Sequence, residues 1–369
     1  MNVRVLVWAA FAAALAVVVV STALAGSRTF SRSPALGPAL SPGDRLWVQR
    51  YSGPGNNFDD PRAVGVSPDG SKVFVTGQSN TSASSDYATI AYDAATGTQL
   101  WAKRYDGPAN FFDGANALGV SPDGSTVFVT GQSDGSGGFE YATIAYDAAT
   151  GTQLWVSRFK GPTGLGNVAN ALGVSPDGSR VFVTGESIGS GNASDYLTIA
   201  YNAATGQRSW MKRKNGPANG EDVANALGVS PDGSRVFVTG FSHGSGSGRD
   251  YATVAYGAAT GTQRWIRRYN GRPNDNDSAE ALRVSPDGSR VFVTGFSFSF
   301  VSNYDYLTVA YKAATGQRSW VKRENGPAFG DDQATALDVS PDGSRLFVTG
   351  RSDGLTGPKD YETVAYSTG

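Results

Sequence analysis

The tetrapeptide Ser-Pro-Asp-Gly begins at Ser67, Ser121, Ser175, Ser230, Ser285 and Ser340, at intervals of 54, 54, 55, 55 and 55 residues. Tryptophan keeps the same five intervals at Trp47, Trp101, Trp155, Trp210, Trp265 and Trp320, and the one other tryptophan, Trp8, lies in an N-terminal apolar segment. Self-similarity at a fixed period means one supersecondary unit used again and again, so the fold follows from what that unit can form.

Within a unit, Ala117 to Gly131 (ALGVSPDGSTVFVTG) predicts two short strands, because Leu118 and Val120, then Val127 and Val129, alternate with other residues about a Pro-Asp-Gly turn. Proline presets φ, glycine accepts positive φ, and the aspartate side chain can bond its own backbone. Tyr141 to Tyr146 (YATIAY) is apolar or small almost throughout, as in a strand covered on both faces. An Ala-Ala-Thr-Gly turn then leads into Thr152 to Phe159 (TQLWVSRF), a fourth strand. Four antiparallel strands in a repeat slightly longer than ~40–50 residues are the pattern of a β-propeller blade.

The phase of the repeat predicts how such a ring would close. The series opens with a lone fourth-strand segment, Leu46 to Tyr51, and stops after a third strand, Tyr361 to Tyr366. If the first completes the last, six blades of four strands result and the exposed sheet edges largely vanish. A linear β-solenoid, which has no need of this offset, is the competing fold.

Residues 1–25 run from Met-Asn-Val-Arg through an uncharged apolar stretch, Val5 to Val20, to Ala23-Leu24-Ala25, the pattern of a secretory signal. An uncleaved membrane anchor is the alternative, and either places the remainder outside the cytoplasm, secreted or at the cell surface. Residues 26–44 are rich in serine and proline and read as a disordered spacer. Residues 45–369 are then one six-bladed all-β domain. The chain has no cysteine, so no disulfide framework is available. Formal net charge is −1, which leaves no overall basic footprint for nucleic acid. The paired bases Lys103-Arg104, Lys212-Arg213, Arg267-Arg268 and Lys322-Arg323 fall on outer strands and read as charge that discourages edge pairing, with a polyanionic partner as the sharper alternative.

Two family vocabularies meet in the unit. Ala91 to Trp101 (AYDAATGTQLW) resembles the tryptophan-docking motif of quinoprotein (PQQ-type) propellers, as do Ala145, Asp147, Thr150, Gly151 and Trp155, while later copies put Asn202, Gly257 or Lys312 in the aspartate position. The resemblance implies that all six repeat tryptophans pack against a neighbouring blade and says nothing of catalysis. Val229 to Gly240 (VSPDGSRVFVTG) resembles the YVTN-type and TolB-type bacterial propellers, and the combined unit, residues 46–366, resembles the bacterial secreted β-propeller repeat called SBBP. That family name implies seven blades, against six repeats here. Quinoprotein dehydrogenases resemble eight-bladed rings with an adjacent-cysteine disulfide and a calcium site beside the quinone, so an enzyme of that kind departs from this chain in both respects.

Function is less legible than fold. One face of the blades carries the monotonous SPDG and AATG turns, and the other carries loops that differ in length and sequence, which makes the second the expected recognition face. Three groups there are candidates. Asp59, Asp113, Asn167, Asp222, Asp277 and Asp332 stand eight residues before each SPDG serine, where they would ring a central channel and hold a hard cation such as calcium, or else cap loop N–H groups in their own blades. A second acidic set, Asp86, Glu140, Asp195, Asp250, Asp305 and Asp360, recurs in all six units, which favours a structural hydrogen bond. The position after each Val-Thr-Gly holds Gln78, Gln132, Glu186, Phe241, Phe296 and Arg351 and so breaks the repeat symmetry, as an asymmetric ligand requires. The fifth unit adds Phe298, Phe300 and Tyr304 where others have glycine and serine, a contact for protein or sugar or else a lengthened strand. His243, the single histidine, has no partner in the pattern, and no catalytic constellation emerges. The expectation is an extracellular binding scaffold, monomeric, with no obligatory cofactor and a protein or glycan partner. A loop-face hydrolase or lyase using two carboxylates, a quinoprotein and a purely structural surface protein are the alternatives.

Overall fold

The computed structural model describes residues 41–369 apart from 136, 190, 192 and 356–358, so the expected signal segment and all but the end of the spacer lie outside the described residues. The chain divides into two units, Met1–Arg45 and Leu46–Gly369. In the first, Ser41 N donates to Asp44 Oδ2 (2.6 Å) and Asp44 N to Ser41 O (3.0 Å), forming a tight turn. Among the described residues of the second there are strands and no helix, hence none long and apolar enough to cross a membrane.

The strands fall into six antiparallel sheets of consecutive strands. Blade 1 is β1 (Asp59–Val66), β2 (Lys72–Asn80), β3 (Ser85–Asp93) and β4 (Gln99–Tyr105). Blade 2 is β5 (Asp113–Val120), β6 (Thr126–Gly135), β7 (Gly138–Asp147) and β8 (Gln153–Phe159), and blade 3 is β9 (Asn167–Val174), β10 (Arg180–Ile188), β11 (Ser194–Asn202) and β12 (Arg208–Lys214). Blade 4 comprises β13 (Asp222–Val229), β14 (Arg235–His243), β15 (Arg249–Gly257) and β16 (Gln263–Tyr269). Blade 5 comprises β17 (Asp277–Val284), β18 (Arg290–Ser299), β19 (Asn303–Lys312) and β20 (Arg318–Glu324). Blade 6 has three strands, β21 (Gln333–Val339), β22 (Arg345–Asp353) and β23 (Lys359–Ser367).

The all-β propeller class is as the repeat predicts. The fourth strand expected for blade 6 is not paired there: Leu46–Tyr51 carries no strand and lies instead against blade 1 through Trp47. Innermost strands of neighbouring blades pack on one another from β1 and β5 through β17 and β21, whereas β21 and β1 do not meet in this way. Val64 and Val66 are accordingly exposed. The described blades form an open series, because a sixth junction needs the first and last blades to meet.

Blade-to-blade packing follows from the alternation in β2 and β3 and their counterparts. Phe74, Tyr87, Ala91 and Trp101 of blade 1 pack on Val127, Val129, Ile144 and Tyr146 of blade 2, and the pattern recurs along the series. Each tryptophan lies over the turn of the next blade. Trp101 Nε1 donates to Ala148 O (3.2 Å), Trp155 to Ala203 O (2.8 Å), Trp210 to Ala258 O (2.8 Å) and Trp265 to Ala313 O (2.9 Å). A β-carbon on Gly151, at φ +68°, would sit 2.7 Å from the Trp101 ring, so this turn needs glycine twice over, for its left-handed backbone and for the indole. Trp320 departs from the pattern, its buried Nε1 having no partner.

Candidate functional site

Each of blades 1 to 5 ties its loop face with one arginine three residues after its tryptophan. Arg104 donates to Asp86 Oδ2 (2.7 Å) and Ser79 Oγ (2.5 Å), Arg158 to Glu140 Oε2 (2.9 Å) and Ser133 Oγ (2.6 Å), and Arg213 to Asp195 Oδ2 (2.9 Å) and Ser187 Oγ (2.6 Å). Arg323 does the same with Asp305 Oδ2 (2.8 Å) and Ser297, and in blade 4 Arg268 reaches Ser242 Oγ (2.7 Å). The second base of each outer-strand pair is therefore not free edge charge. It is turned into its own blade, because the acidic residue at the start of the third strand and the serine ending the second leave a half-buried acceptor pair beside it. The first base of the pair serves the next blade in one case: Arg267 donates to Gly316 O (2.8 Å) and Thr315 O (2.8 Å) of the following turn. Sequence reasoning missed this use of arginine, although its constant offset from tryptophan was a readable signal.

The first aspartate set is turned into its own blades. Asp113, Asn167, Asp222, Asp277 and Asp332 are fully buried and Asp59 is half-buried. Each aspartate accepts from the glycine N–H six residues upstream: Gly53 to Asp59 (3.1 Å), Gly107 to Asp113 (2.9 Å), Gly216 to Asp222 (2.5 Å), Gly271 to Asp277 (2.6 Å) and Gly326 to Asp332 (2.7 Å). They cap the loop that enters each blade, the alternative to a cation ring that the sequence allowed. Burial pushes the carboxyls of Asp113 and Asp222 up, and that of Asp277 up to about 6, against the opposing N–H bonds from Gly107, Gly216 and Gly271; Asp113 Oδ1 and Asp222 Oδ1 are buried with no partner. Asp86, Asp106 and Asp113 place one oxygen each within 4.8 Å of one another. Arg104 pairs with Asp86 there, Asp113 accepts from Gly107 N, and Asp106 is exposed.

The symmetry-breaking position is divided between two ends of the series. Gln78 and Arg351 lie in blades 1 and 6, where Arg62 reaches Gln78 Oε1 (3.4 Å) and Arg351 donates to Gln333 Oε1 (2.5 Å). Gln132 and Glu186 are half-buried, and burial raises the Glu186 carboxyl. Phe241 and Phe296 belong to a different surface. Arg249 stacks over the Phe241 ring at 4.2 Å and bonds Glu221 Oε2 at 2.5 Å. Phe296 meets Tyr304 edge-on at 5.1 Å, Tyr304 meets Phe298 at 5.6 Å, and Phe298 meets Phe300 at 6.1 Å.

This aromatic chain is built by the strands beneath it. β18 and β19 run ten residues each, with Phe298 directly opposite Tyr304, so the lengthened hairpin carries the rings outward past the neighbouring loops. Asn303 takes φ 61° and turns the chain back. At the tip Phe300 is 83% and Val301 76% exposed, beside an open cavity shared with Arg272, Pro273 and Asn274. Arg249, Asn276, Phe296, Tyr304 and Gln333 line a second cavity of about 180 Å³. The site thus joins an apolar tip to a pocket of mixed lining, where Arg249, paired with Glu221, faces Asp277, Phe296 and Tyr304. Sequence reasoning found Phe241, Phe296, Phe298, Phe300 and Tyr304 but missed Arg249, whose role depends on a ring eight residues away in sequence lying diagonally across the hairpin from it, Phe241 facing Tyr251 and His243 facing Arg249.

Solved structures with similar folds share little sequence. Hydrazine synthase of Kuenenia stuttgartiensis aligns at TM-score 0.56 and 16% identity over 78% of this chain and 73% of its own. The periplasmic gluconolactonase PpgL of Pseudomonas aeruginosa gives 0.53 and 17% over 83% and 89%. Sqt1 of Chaetomium thermophilum gives 0.52 and 17% over 79% and 67%. These likenesses show a common fold. No curated protein matches the chain. The family model described as outer membrane protein assembly factor BamB matches residues 87–354, more than two thirds of the sequence. With the tryptophan-over-turn junctions of its blades, the chain belongs to this PQQ-like propeller family, that of outer membrane protein assembly factor BamB.

Proposed function

We propose that this protein is an extracytoplasmic scaffold that holds another polypeptide against the loop face of blades 4 and 5. The observation that carries the reading is the exposed Phe300–Val301 tip, continuous with Phe298, Tyr304 and Phe296 and bordered by Arg249. Aromatic rings with an adjacent arginine are the side chains enriched where protein surfaces bind. The family's description as an assembly factor adds that its members work on other polypeptides. The SBBP-like repeat and the apolar residues 5–20 support export of the chain.

A direct test is to dilute a transmembrane β-barrel polypeptide from urea onto immobilised protein and measure its retention. Phe298→Ala with Phe300→Ala is expected to weaken retention tenfold or more while the thermal midpoint holds. Equal retention by wild type and variant would sink the patch as the contact surface. Retention of soluble polysaccharides in place of the polypeptide would move the reading to a glycan-binding module.

A further inference from the structure

The Ala-Ala-Thr-Gly turn opens on a residue whose identity changes along the blades, from Asp93 and Asp147 through Asn202 to Gly257 and Lys312. In blade 1 that residue fills a cradle of donors: Asp93 Oδ1 accepts from Ala95 N (3.1 Å), Thr96 N (2.8 Å) and Thr96 Oγ1 (2.8 Å). Asp147 does the same in blade 2 with Ala149 N (3.1 Å), Thr150 N (2.8 Å) and Thr150 Oγ1 (2.8 Å). In blade 3 Asn202 Oδ1 repeats these bonds, to Ala204 N (3.0 Å), Thr205 N (3.0 Å) and Thr205 Oγ1 (3.1 Å). The donors hold the Asp93 and Asp147 carboxyls below the usual carboxylate range, so the cradle favours a negative oxygen.

In blade 4 the chain supplies no such oxygen. Gly257 holds the position, and Thr260 N turns instead to the Gly257 carbonyl at 3.2 Å. Backbone conformation does not ask for glycine here, since Gly257 lies outside the left-handed region. A β-carbon on it would sit 3.2 Å from both Nε and Nη2 of Arg264 and 3.5 Å from Thr260 Oγ1. The edge of a guanidinium and a hydroxyl therefore border the place from which Asp93 extends its side chain in blade 1.

The surroundings add positive charge. Lys212, from the outer strand of blade 3, lies over the same turn, its Cε 2.9 Å from where a β-carbon on Gly261 would be. Arg235 stands opposite Gly257 in the pairing of β14 with β15. Among the described residues none of Lys212, Arg235 and Arg264 is in a salt bridge. Asp232, on the neighbouring turn, is committed to Ser230 and Ser234. The repeat shows the same trade along the chain. The two residues before tryptophan are Gln-Leu in blades 1 and 2, whereas blades 3, 4 and 5 each place one arginine there, Arg208, Arg264 and Arg318. Arginine enters where the carboxylate leaves. Backbone N–H groups gathered in a turn beside unpaired cations make an anion-binding concavity.

We propose that residues 257–264 of blade 4 form a binding site for an oxyanion, the phosphate or carboxylate group of a ligand. One oxygen takes on Ala259 N, Thr260 N and Thr260 Oγ1 the place that Asp93 Oδ1 takes in blade 1. A second oxygen lies along the Nε and Nη2 edge of Arg264, the paired geometry by which guanidinium holds either group. Phosphate has a further oxygen to offer Lys212, and so should bind more tightly than a carboxylate. The site is on the turn face, so it stands or falls independently of polypeptide binding at the loop face.

The test is a titration of the full chain with inorganic phosphate and, separately, with acetate, each against chloride at matched ionic strength. The nitrogen–proton resonances of Ala259, Thr260 and the Arg264 side chain are expected to shift saturably, and at lower concentration with phosphate. Gly257→Asp gives blade 4 the carboxylate that blades 1 and 2 already carry. It should abolish the shifts while resonances elsewhere stay in place. Arg264→Ala should weaken phosphate binding roughly tenfold. Acetate binding as tightly as phosphate would support the site and assign it to carboxylates. No saturable shift in the wild type, an equal shift with chloride, or a shift that survives Gly257→Asp would each overturn the proposal.

Discussion

In five of the six blades the turn face and the loop face both carry aspartate at a repeating position, and the two are held in opposite ways. On the turn face Asp177 accepts from Ser175 Oγ, from Ser179 N and from Ser179 Oγ, at 2.5–3.0 Å, while remaining near solvent. These bonds hold its carboxyl down at about 2, and Asp232 and Asp287 likewise. On the loop face Asp277 is buried and accepts from Gly271 N and Ser297, and burial pushes its carboxyl up to about 6. One residue type in one repeat is thus a satisfied anion on one side and an uncomfortable one on the other. The difference teaches that the turn face is built for regularity, whereas the loop face tolerates a cost that its hydrogen-bonding geometry has to offset.

The largest way to break the contrast is to remove what holds the turn face to its neighbour. Trp155→Ala deletes a buried indole and its bond to Ala203, and should cost about 3–5 kcal/mol in chemical denaturation. Asp277→Ala leaves the Gly271 N–H without its cap and should cost about 1–3 kcal/mol. Asp277→Asn, by contrast, should hold stability near wild type at pH 7, since blade 3 already carries Asn167 there, with Ser187 donating to its Oδ1 at 2.5 Å.

The pH profile sharpens the comparison further. Because the folded state raises the Asp277 pKa, folding binds this proton more tightly than the unfolded chain does. Its ionisation therefore penalises the fold above about pH 6, and the penalty is relieved as pH falls toward about 4. Asp177, Asp232 and Asp287 act with the opposite sign: their stabilisation is full above about pH 4 and is lost as pH falls through about 2. Thermal midpoints measured from pH 7 to 2 should rise and then fall, and Asp277→Asn should reduce the rise while keeping the fall. A profile unchanged by that substitution would contradict the assignment. The smallest effect belongs to Phe300→Ala, which should shift stability by under about 0.5 kcal/mol because the ring is exposed; its consequence is confined to binding.

Much of this was legible in residues. The SPDG and AATG turns, the two flanking strands and the tryptophan positions depend on local chemistry, namely φ preferences, side-chain caps and alternation, and the structure realises them. The loop-face acids were readable both as a cation ring and as caps, but the choice between them was not, since whether Asp277 faces a channel or its own glycine depends on burial that alternation cannot supply. The aromatic run from Phe296 to Tyr304 was visible because it departs from the repeat, whereas Arg249 was not, because stacking on Phe241 is a relation across a hairpin.

By itself the sequence determined the unit, its number and the order of its strands, since these follow from periodicity and turn chemistry along one dimension. Tertiary structure decided where the repeating charges went. Arg104 and its counterparts turned inward to a serine and an acid rather than guarding an edge, the first acidic set became buried caps, and Leu46–Tyr51 came to rest on blade 1. The reason is common to all three. Each depends on which groups lose water when sheets stack, and that is set by contacts between blades far apart in the chain.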